Sequence, residues 1–322
     1  MTVRILIGDV REQLRLLPAD HFDCVVTSPP YWGLRDYGVA GQIGLERTLG
    51  EHLAVMVDVF NEVRRVMKPT ATLWLNYGDC YATTPNGKSA AAYKADGSDD
   101  RTFRDKPFST IGGVLKAKDL CMIPNRLAIA LQEAGWWVRS EIIWHKPNPM
   151  PESIKDRPGT SHEKVWLLAK SERYFYDAAA IAEPAIYAGD TRHLRTDRTQ
   201  VEREKPKQDG HGRRHEGFNS RYFTGNPQAE TRNKRNVWTI GTQPFSEAHF
   251  ATFPPELAET CIKAGCPVGG MVLDPFGGAG TTGLVADRLQ RSSVLIELNP
   301  EYAAMAERRI YDDAPLFVEA AE

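Results

Sequence analysis

Cysteines, long apolar runs and net charge are what this sequence has least of. Its five cysteines, among 322 residues, are scattered and form no C-x-x-C pair, which argues against a zinc or redox site and predicts no bound metal. No run approaches the roughly 18 apolar residues that span a bilayer, and the first residues do not resemble a signal peptide. We therefore expect a cytoplasmic protein with no membrane partner. A formal net charge of -2 gives no overall attraction to nucleic acid, so any basic surface must be local.

Strand-like apolar segments alternate with helix-like segments along the chain, which predicts an α/β domain with a largely parallel sheet. Residues 83–118 lose this periodicity and collect Gly, Ser, Asp and Lys, which predicts a mobile loop. A second insertion spans 183–236, and its part 188–236 holds twelve Lys/Arg against seven Asp/Glu. That composition fits either a solvated loop or an arm that contacts nucleic-acid phosphates. The main domain would then comprise residues 1–182 and 237–322.

Two consecutive prolines follow an apolar strand in the segment Thr27-Ser-Pro-Pro-Tyr-Trp32. They fix φ and remove two amide donors, so the chain leaves the sheet in a rigid, extended form. The carbonyl of Pro29 is then free to accept from a ligand, beside the hydroxyl of Ser28 and the ring of Tyr31. Two oxygens next to an aromatic face suit a planar base that carries an exocyclic amine. The alternative is an ordinary strand end with two half-buried aromatic residues.

A glycine-rich turn near the carboxyl end is the second signature. Gly278-Ala-Gly280-Thr-Thr-Gly283 fits G-x-G-x-x-G between a strand and a helix, and Glu297 closes the next strand. Such a turn lets the backbone approach a ligand closely and offers helix amides to an anion, while the carboxylate can hold ribose hydroxyls. The pattern indicates an adenosine-bearing cofactor, and it leaves both a dinucleotide and S-adenosylmethionine open.

Three features favour S-adenosylmethionine. A dinucleotide site normally opens its domain, whereas this turn lies close to the end of the sequence. Glu297 follows the last glycine by fewer residues than the roughly 20 of the dinucleotide fingerprint. The segment Asp274-Pro-Phe276 also adds a carboxylate and a ring where a dinucleotide turn requires tight glycine packing.

Together, the two signatures closely resemble those of the amino-group DNA methyltransferases, in the permuted arrangement that places the catalytic motif before the cofactor motif. The similarity extends to the segments at 7–9, 143–149, 161–166, 249–257 and 296–300, in the right order along the chain. The resemblance implies a Rossmann-like S-adenosylmethionine-dependent methyltransferase fold, with a mostly parallel twisted sheet, helices on both faces and two polar insertions. It also implies double-stranded DNA as the substrate.

The resemblance assigns a set of residues to the cofactor. These are Asp9, Thr252, Asp274, Phe276, Gly278, Gly280, Thr281 and Glu297. Glu297 would hold the ribose and Asp9 the adenine amine, although a helix N-cap is the alternative for Asp9. The segment that contains Thr252 departs from the commoner His-Pro-Thr-Gln-Lys-Pro form.

The predicted catalytic residues are Ser28, Pro29, Pro30 and Tyr31. If the Ser28 hydroxyl and the Pro29 carbonyl each accept one amine hydrogen, the nitrogen lone pair is directed at the methyl donor and no covalent enzyme intermediate is needed. Tyr31 would stack on a base flipped out of the duplex. The sequence has no Pro-Cys dipeptide, unlike enzymes that methylate carbon 5 of cytosine. In the family that the chain resembles, serine before Pro-Pro favours N4 of cytosine, while N6 of adenine stays open.

Further residues are candidates for the base pocket or for DNA contacts. They are Trp32, Lys146, Asn148, Arg213, Arg214, Lys234 and Arg235. A cognate restriction endonuclease is a candidate partner, and both a monomer and a dimer are compatible with the sequence. The rival functions are an RNA or protein amide methyltransferase, a nicotinamide-dependent oxidoreductase and a catalytically silent nucleic-acid-binding module. The oxidoreductase leaves the Ser-Pro-Pro-Tyr motif unexplained, and pure binding requires neither motif.

Overall fold

The structure is a computed structural model that describes residues 2–36, 38–84, 108–185, 231–243 and 253–313. Its strands are β1 (Val3–Ile7), β2 (Phe22–Thr27), β3 (Met67–Tyr77), β4 (Trp137–His145), β5 (His162–Ala169), β6 (Glu183–Pro184), β7 (Thr231–Arg232), β8 (Val237–Thr239), β9 (Met271–Asp274) and β10 (Ser292–Glu297). Its helices are α1 (Val10–Leu16), α2 (Leu49–Val66), α3 (Ile123–Glu133), α4 (Pro255–Gly265), α5 (Thr281–Arg288) and α6 (Pro300–Asp313). Within the described ranges, every helix is too short or too polar to cross a bilayer.

The chain divides into two compact units. The first comprises residues 1–177 and 236–322, and the second comprises residues 178–235, in which β6 and β7 form an antiparallel pair. These bounds lie close to the predicted division between the main domain and the insertion at 183–236. A DNA-contacting role of that insertion stays a prediction.

An eight-stranded sheet in the order β1-β10-β9-β2-β3-β5-β4-β8 forms the centre of the first unit. Neighbouring strands pair in parallel, except that β5 is antiparallel to both β3 and β4. The prediction of an α/β fold with a mostly parallel sheet is confirmed. Because β5 runs against its neighbours, its first residues lie at the edge of the sheet where the other strands end.

The order of the strands reverses between β2 and β9. From β9 the chain continues through α5 to β10 on one side, and from β2 it continues through α2 to β3 on the other. The two strands pair directly, with Val25 opposite Leu273. Ligands of open α/β sheets bind at the carboxyl ends of the strands at such a reversal. The turns that follow β2 and β9 therefore meet in space despite their distance in sequence.

Alternate side chains of β3 point to the two faces of the sheet, as strand geometry requires. Leu73 and Leu75 belong to the core cluster formed with α1, α2 and α3. Thr72 and Trp74 instead pack against α4 at Gly265, where an added Cβ would lie 2.4 Å from the Thr72 hydroxyl. Helices therefore cover both faces of the sheet, as predicted.

The region predicted as a mobile loop at 83–118 is partly packed. Thr110 is buried at 1% exposure, and its amide donates to the carbonyl of Thr83 at 3.0 Å. Leu115 joins the core cluster, and the amide of Lys118 donates to the carbonyl of Ala82. Apolar side chains and backbone pairing therefore hold residues 108–118, while 85–107 lie outside the described residues.

Candidate active site

A cavity of about 1080 Å³ lies at the carboxyl ends of β2 and β9. Its lining combines the Pro-Pro turn after β2, the glycine-rich turn after β9, and residues at the ends of β1, β3, β4 and β10. Small-molecule sites typically have about 300–1000 Å³, so this cavity has room for a cofactor together with a second planar ligand.

The turn after β2 brings all four predicted catalytic residues, Ser28 to Tyr31, to the cavity lining. The ring of Tyr31 stacks on Tyr77, with ring centroids 4.8 Å apart and an interplanar angle of 27°. Behind it lies Gly78, where an added Cβ would be 2.5 Å from the Tyr31 ring. The prolines fix the backbone and the packing fixes the ring, so the turn is held rigidly.

Glu163, at the start of β5, is the centre of the polar network in this part of the cavity. Its Oε2 accepts from the Tyr31 hydroxyl at 2.9 Å and from Asn76 Nδ2 at 3.1 Å. Its Oε1 forms an ion pair with Lys146, whose ammonium lies 4.4 Å from the centre of the Trp144 ring. The antiparallel direction of β5 is what brings Glu163 to the cavity.

Tyr31 keeps its phenolic proton in this setting. Burial raises the pKa of Tyr31 well above its ordinary value, and the negative charge of Glu163 raises it further. The Ser28 hydroxyl lies 3.5 Å from the Tyr31 oxygen. The proton of Tyr31 is thus donated to Glu163, and the phenol oxygen faces Ser28.

The turn after β9 forms the other part of the lining, through Phe276, Gly278 and Thr281. Gly278 has φ +50°, a left-handed conformation that glycine adopts without strain. Its amide donates to Glu297 Oε2 at 2.7 Å, and the amide of Asn299 donates to Oε1 at 2.9 Å. Burial raises the pKa of Glu297, against the effect of these backbone donors.

These residues fit S-adenosylmethionine. The carboxylate of Glu297 lines the cavity where a ribose hydroxyl can donate to it, and the glycine backbone leaves space for a close approach. The carboxylate of Glu297 brings an acidic group to this part of the cavity, which suits a cationic cofactor.

Asp9 lines the cavity and is also the N-cap of α1, the alternative that the sequence left open. Its Oδ1 accepts from the amide of Arg11 at 2.8 Å, and its Oδ2 accepts from the Arg11 guanidinium at 2.6 Å. The hydrogen bond from the Arg11 side chain lowers the pKa of Asp9 despite partial burial. Contact with an adenine amine stays a prediction for Asp9.

Asp274, predicted to contact the cofactor, is not part of the cavity lining. It is 1% exposed and accepts from the hydroxyls of Thr27 at 2.7 Å and Thr282 at 2.6 Å, and from the amide of Phe276. Burial raises the pKa of Asp274 to about 7, against the opposing effect of these donors. Asp274 therefore joins the residue before Ser28 to the helix that follows the glycine-rich turn.

Gly280 and Trp32 also lie elsewhere than predicted. Gly280 has φ +74° and packs against α6, where an added Cβ would be 2.8 Å from the Cβ of Ala306. Trp32 is 2% exposed and belongs to the core cluster, and its indole nitrogen donates to the carbonyl of Glu46 at 2.9 Å. Gly280 allows a helix to pack closely, and Trp32 anchors the turn after β2 to the core rather than facing the cavity.

The residues predicted to contact DNA lie in different parts of the structure. Asn148 lines the cavity, and its Oδ1 accepts from the amide of Thr242 at 3.2 Å. Lys234 and Arg235 lie in the second unit, where Arg235 pairs with Glu183 at 3.2 Å. Three predicted residues lie outside the described residues, namely Arg213, Arg214 and Thr252.

The family model of DNA methylases matches residues 22–308. This chain belongs to the DNA methylase family. The match includes both turns that line the cavity.

Curated relatives that this methylase resembles include type II methyltransferases, two of which match over most of their length. M.SmaI of Serratia marcescens is 43% identical over 307 residues, which cover 95% of this chain and 90% of that protein. M.XycI of Xanthomonas campestris pv. cyanopsidis is 46% identical over 303 residues, which cover 94% of this chain and 86% of that protein. The enzyme is thus a methyltransferase of the type II, amino-group DNA methylase family.

Solved structures share the fold of this methylase. The PvuII DNA methyltransferase, described as cytosine-N4-specific, aligns with a TM-score of 0.61 at 19% identity and covers 98% of this chain and 92% of its own. The Thermus thermophilus protein TTHA0409, solved in complex with S-adenosyl-L-methionine, aligns with a TM-score of 0.57 at 23% identity and covers 98% and 97%. The predicted family, fold and cofactor are confirmed.

Proposed function

We propose that this methylase transfers a methyl group from S-adenosylmethionine to the exocyclic N4 amine of a cytosine flipped out of duplex DNA. The observation that carries the proposal is the shared cavity, which is lined by Ser28 of the Pro-Pro turn and by Glu297 of the cofactor turn. When bound, S-adenosylmethionine supplies an electrophilic methyl group. The cytosine-N4 specificity of the structurally similar PvuII enzyme supports the choice of base.

The role of Ser28 and Pro29 is to orient the amine. The Ser28 hydroxyl and the Pro29 carbonyl each accept one amine hydrogen, which turns the nitrogen lone pair toward the cofactor end of the cavity. Holding the amine in this geometry lowers the barrier by alignment and electrostatics, without an enzyme nucleophile.

The role of Tyr31 is to fix the plane of the base. Its ring lines the cavity and is backed by Tyr77, and its hydroxyl is held by Glu163. A flipped base that stacks on this ring regains part of the few kcal/mol that leaving the duplex costs.

Lys146 supports cytosine over adenine. Beside its amine, cytosine presents two acceptors, the ring N3 and the O2 carbonyl, whereas adenine presents N1 and an apolar C–H. Lys146 brings an ammonium with three donors to the cavity lining, held by Glu163 and by the Trp144 ring. We infer that Lys146 donates to the O2 carbonyl of cytosine, at the position where adenine has the apolar C–H.

The proposal is tested by the modified base itself. The gene is expressed in a bacterial host that lacks DNA methyltransferases, and its DNA is digested to nucleosides and analysed by mass spectrometry. N4-methylcytosine is the expected product, and DNA from the same host without the gene is the control. N6-methyladenine would keep the fold and the mechanism but overturn the choice of base, and unmodified DNA would overturn the DNA substrate.

A further inference from the structure

Three side chains linked by hydrogen bonds, those of Glu46, His52 and Tyr77, lie directly behind the turn from Ser28 to Tyr31. His52 of α2 is 0% exposed, and its Nδ1 lies 2.8 Å from Glu46 Oε2. Its other ring nitrogen, Nε2, lies 2.8 Å from the hydroxyl of Tyr77 at the end of β3. The proposed methyl transfer uses only the ring of Tyr77, on which Tyr31 stacks, and it gives no role to Glu46, to His52 or to the Tyr77 hydroxyl.

Tyr77 contacts the turn on both sides of Tyr31. Its hydroxyl lies 3.2 Å from the carbonyl of Pro30 and 3.2 Å from the amide of Trp32. Its ring is the surface on which Tyr31 stacks. The position of Tyr77 therefore sets both the backbone and the ring plane of Tyr31.

The hydrogen-bond partners of Tyr77 determine the protons on His52. The phenol has one proton, and two acceptors can take it: the carbonyl of Pro30 at 3.2 Å, or His52 Nε2 at 2.8 Å when that nitrogen carries no proton. We consider the case in which the phenol donates to Pro30. The amide of Trp32 can only donate to the phenol oxygen. His52 Nε2 must then donate to that oxygen as well, and Nδ1 must donate to the carboxylate of Glu46. All the bonds form together only when both ring nitrogens carry a proton, which makes His52 an imidazolium.

The surroundings of His52 fit a buried positive charge. A buried charge is tolerated when it is paired and hydrogen-bonded, and the Glu46 carboxylate meets this need while accepting from the amide of Gly44 at 3.0 and 3.2 Å. Burial raises the pKa of Glu46, but the hydrogen bond and charge of His52 outweigh it and bring that pKa below its ordinary value. Burial raises the pKa of Tyr77 well above its ordinary value, and among the described residues the ionisable groups of Cys80, Glu46 and Asp79 raise it further.

We propose that Glu46, His52 and Tyr77 are positioning residues for methyl transfer, in which a doubly protonated His52 makes Tyr77 direct its proton to Pro30 and so fixes the catalytic turn. When His52 loses a proton from Nε2, Tyr77 donates to that nitrogen instead, and Pro30 loses its donor. This inference rests on the proposed role of the Ser28 to Tyr31 turn.

The first test reads the protons directly and requires no turnover. Nitrogen-15 NMR of the full-length protein, with histidine labelled and the His52 signal assigned through His52→Gln, reports both ring nitrogens. The expected result is protonation at both positions at neutral pH. A bare Nε2 at neutral pH would overturn the inference, whatever base the enzyme methylates.

The second test is the pH profile of the single-turnover rate with both substrates saturating. The wild-type rate should fall as pH rises through the deprotonation of His52 seen by NMR. Tyr77→Phe keeps the ring that supports Tyr31 but lacks the hydroxyl, so the rate should be about 10- to 100-fold lower and this part of the profile should be flat. The affinity for S-adenosylmethionine should stay within about twofold of wild type, because the cofactor turn is untouched.

His21→Gln is the matched control for His52→Gln, because His21 is an exposed histidine outside the cavity lining. His21→Gln should retain the wild-type profile and His52→Gln should lose its alkaline fall. An unchanged profile in both Tyr77→Phe and His52→Gln would overturn the inference. A product other than N4-methylcytosine would overturn the choice of base and leave these two tests valid.

Discussion

The two turns that meet in the cavity are built by different means. After β2, prolines fix the backbone, and hydrogen bonds between the turn and the side chains of Tyr77 and Glu163 hold it in place. After β9, the turn consists largely of backbone in which Gly278 and Gly280 have φ of +50° and +74°, and the carboxylate of Glu297 accepts an amide of the turn. Changes in the first turn should therefore alter the rate of transfer, and changes in the second should alter the affinity for the cofactor.

The largest expected effect is at Ser28. Ser28→Ala removes one of the two acceptors that orient the amine, so the single-turnover rate should fall about 10²- to 10³-fold. Dissociation constants for DNA and S-adenosylmethionine, measured by equilibrium binding, should stay within about twofold. Ser109→Ala, at an exposed serine outside the cavity lining, is the control. An equal loss of DNA affinity and rate would refute the orienting role.

The junction between the turns should respond to pH through Asp274. Its folded pKa of about 7 lies above the unfolded value of about 3.9, so its contribution to stability is complete below about pH 4 and is lost as pH rises through 7. Relative to Asp274→Asn, the wild-type free energy of unfolding should fall with a slope of up to about 1.4 kcal/mol per pH unit between these values. Urea unfolding at several pH values measures the difference, and a constant difference across this range would contradict the assignment.

Glu297→Gln tests whether the second turn determines the affinity for the cofactor rather than the rate of transfer. Glutamine offers one acceptor in place of two, so the dissociation constant for S-adenosylmethionine should rise about tenfold, the loss of one hydrogen bond to a charged group. The single-turnover rate with saturating cofactor should change by less than about threefold. Calorimetric titration measures the affinity, and a lowered saturated rate with unchanged affinity would show that the two turns do not divide the work in this way.

The smallest effect concerns the insertion, which should influence neither turn. Neutralising Arg213, Arg214, Lys234 and Arg235 should weaken the salt dependence of DNA binding. The slope of the logarithm of the binding constant against the logarithm of salt concentration should fall in magnitude by about 0.9 per lost phosphate contact, and the saturated rate should stay unchanged. The control neutralises Arg15 and Arg308, which are exposed on α1 and α6. If the variant with all four substitutions keeps the wild-type salt dependence, the phosphate contacts lie elsewhere.

Local turn chemistry is what made much of the site predictable. Ser28 and Tyr31 stand next to a Pro-Pro pair, and Gly278 and Glu297 stand at fixed offsets around one strand, so their arrangement follows from short stretches of sequence. The α/β fold followed from the alternation of strands and helices for the same reason.

The residues that sequence reasoning missed or misplaced depend on long-range pairing. Asp274 binds Thr27, 247 residues away, only because β2 and β9 are neighbours in the sheet. Glu163 reaches the cavity because β5 runs antiparallel, which an apolar segment of that length does not reveal. Trp32 follows Tyr31 directly but packs into the core, because the chain turns there, with the amide of Leu34 donating to the carbonyl of Tyr31 at 3.3 Å.

Selection of the base is tested most directly by two duplexes that share one recognition site and differ only in the target base. One carries cytosine and the other adenine, each opposite the same guanine, so the mismatch eases flipping of the adenine. With enzyme and labelled cofactor saturating, single-turnover transfer to cytosine should be at least about tenfold faster, because adenine has an apolar C–H in place of the O2 carbonyl that Lys146 would bind. Equal or faster transfer to adenine would contradict the proposed cytosine pocket.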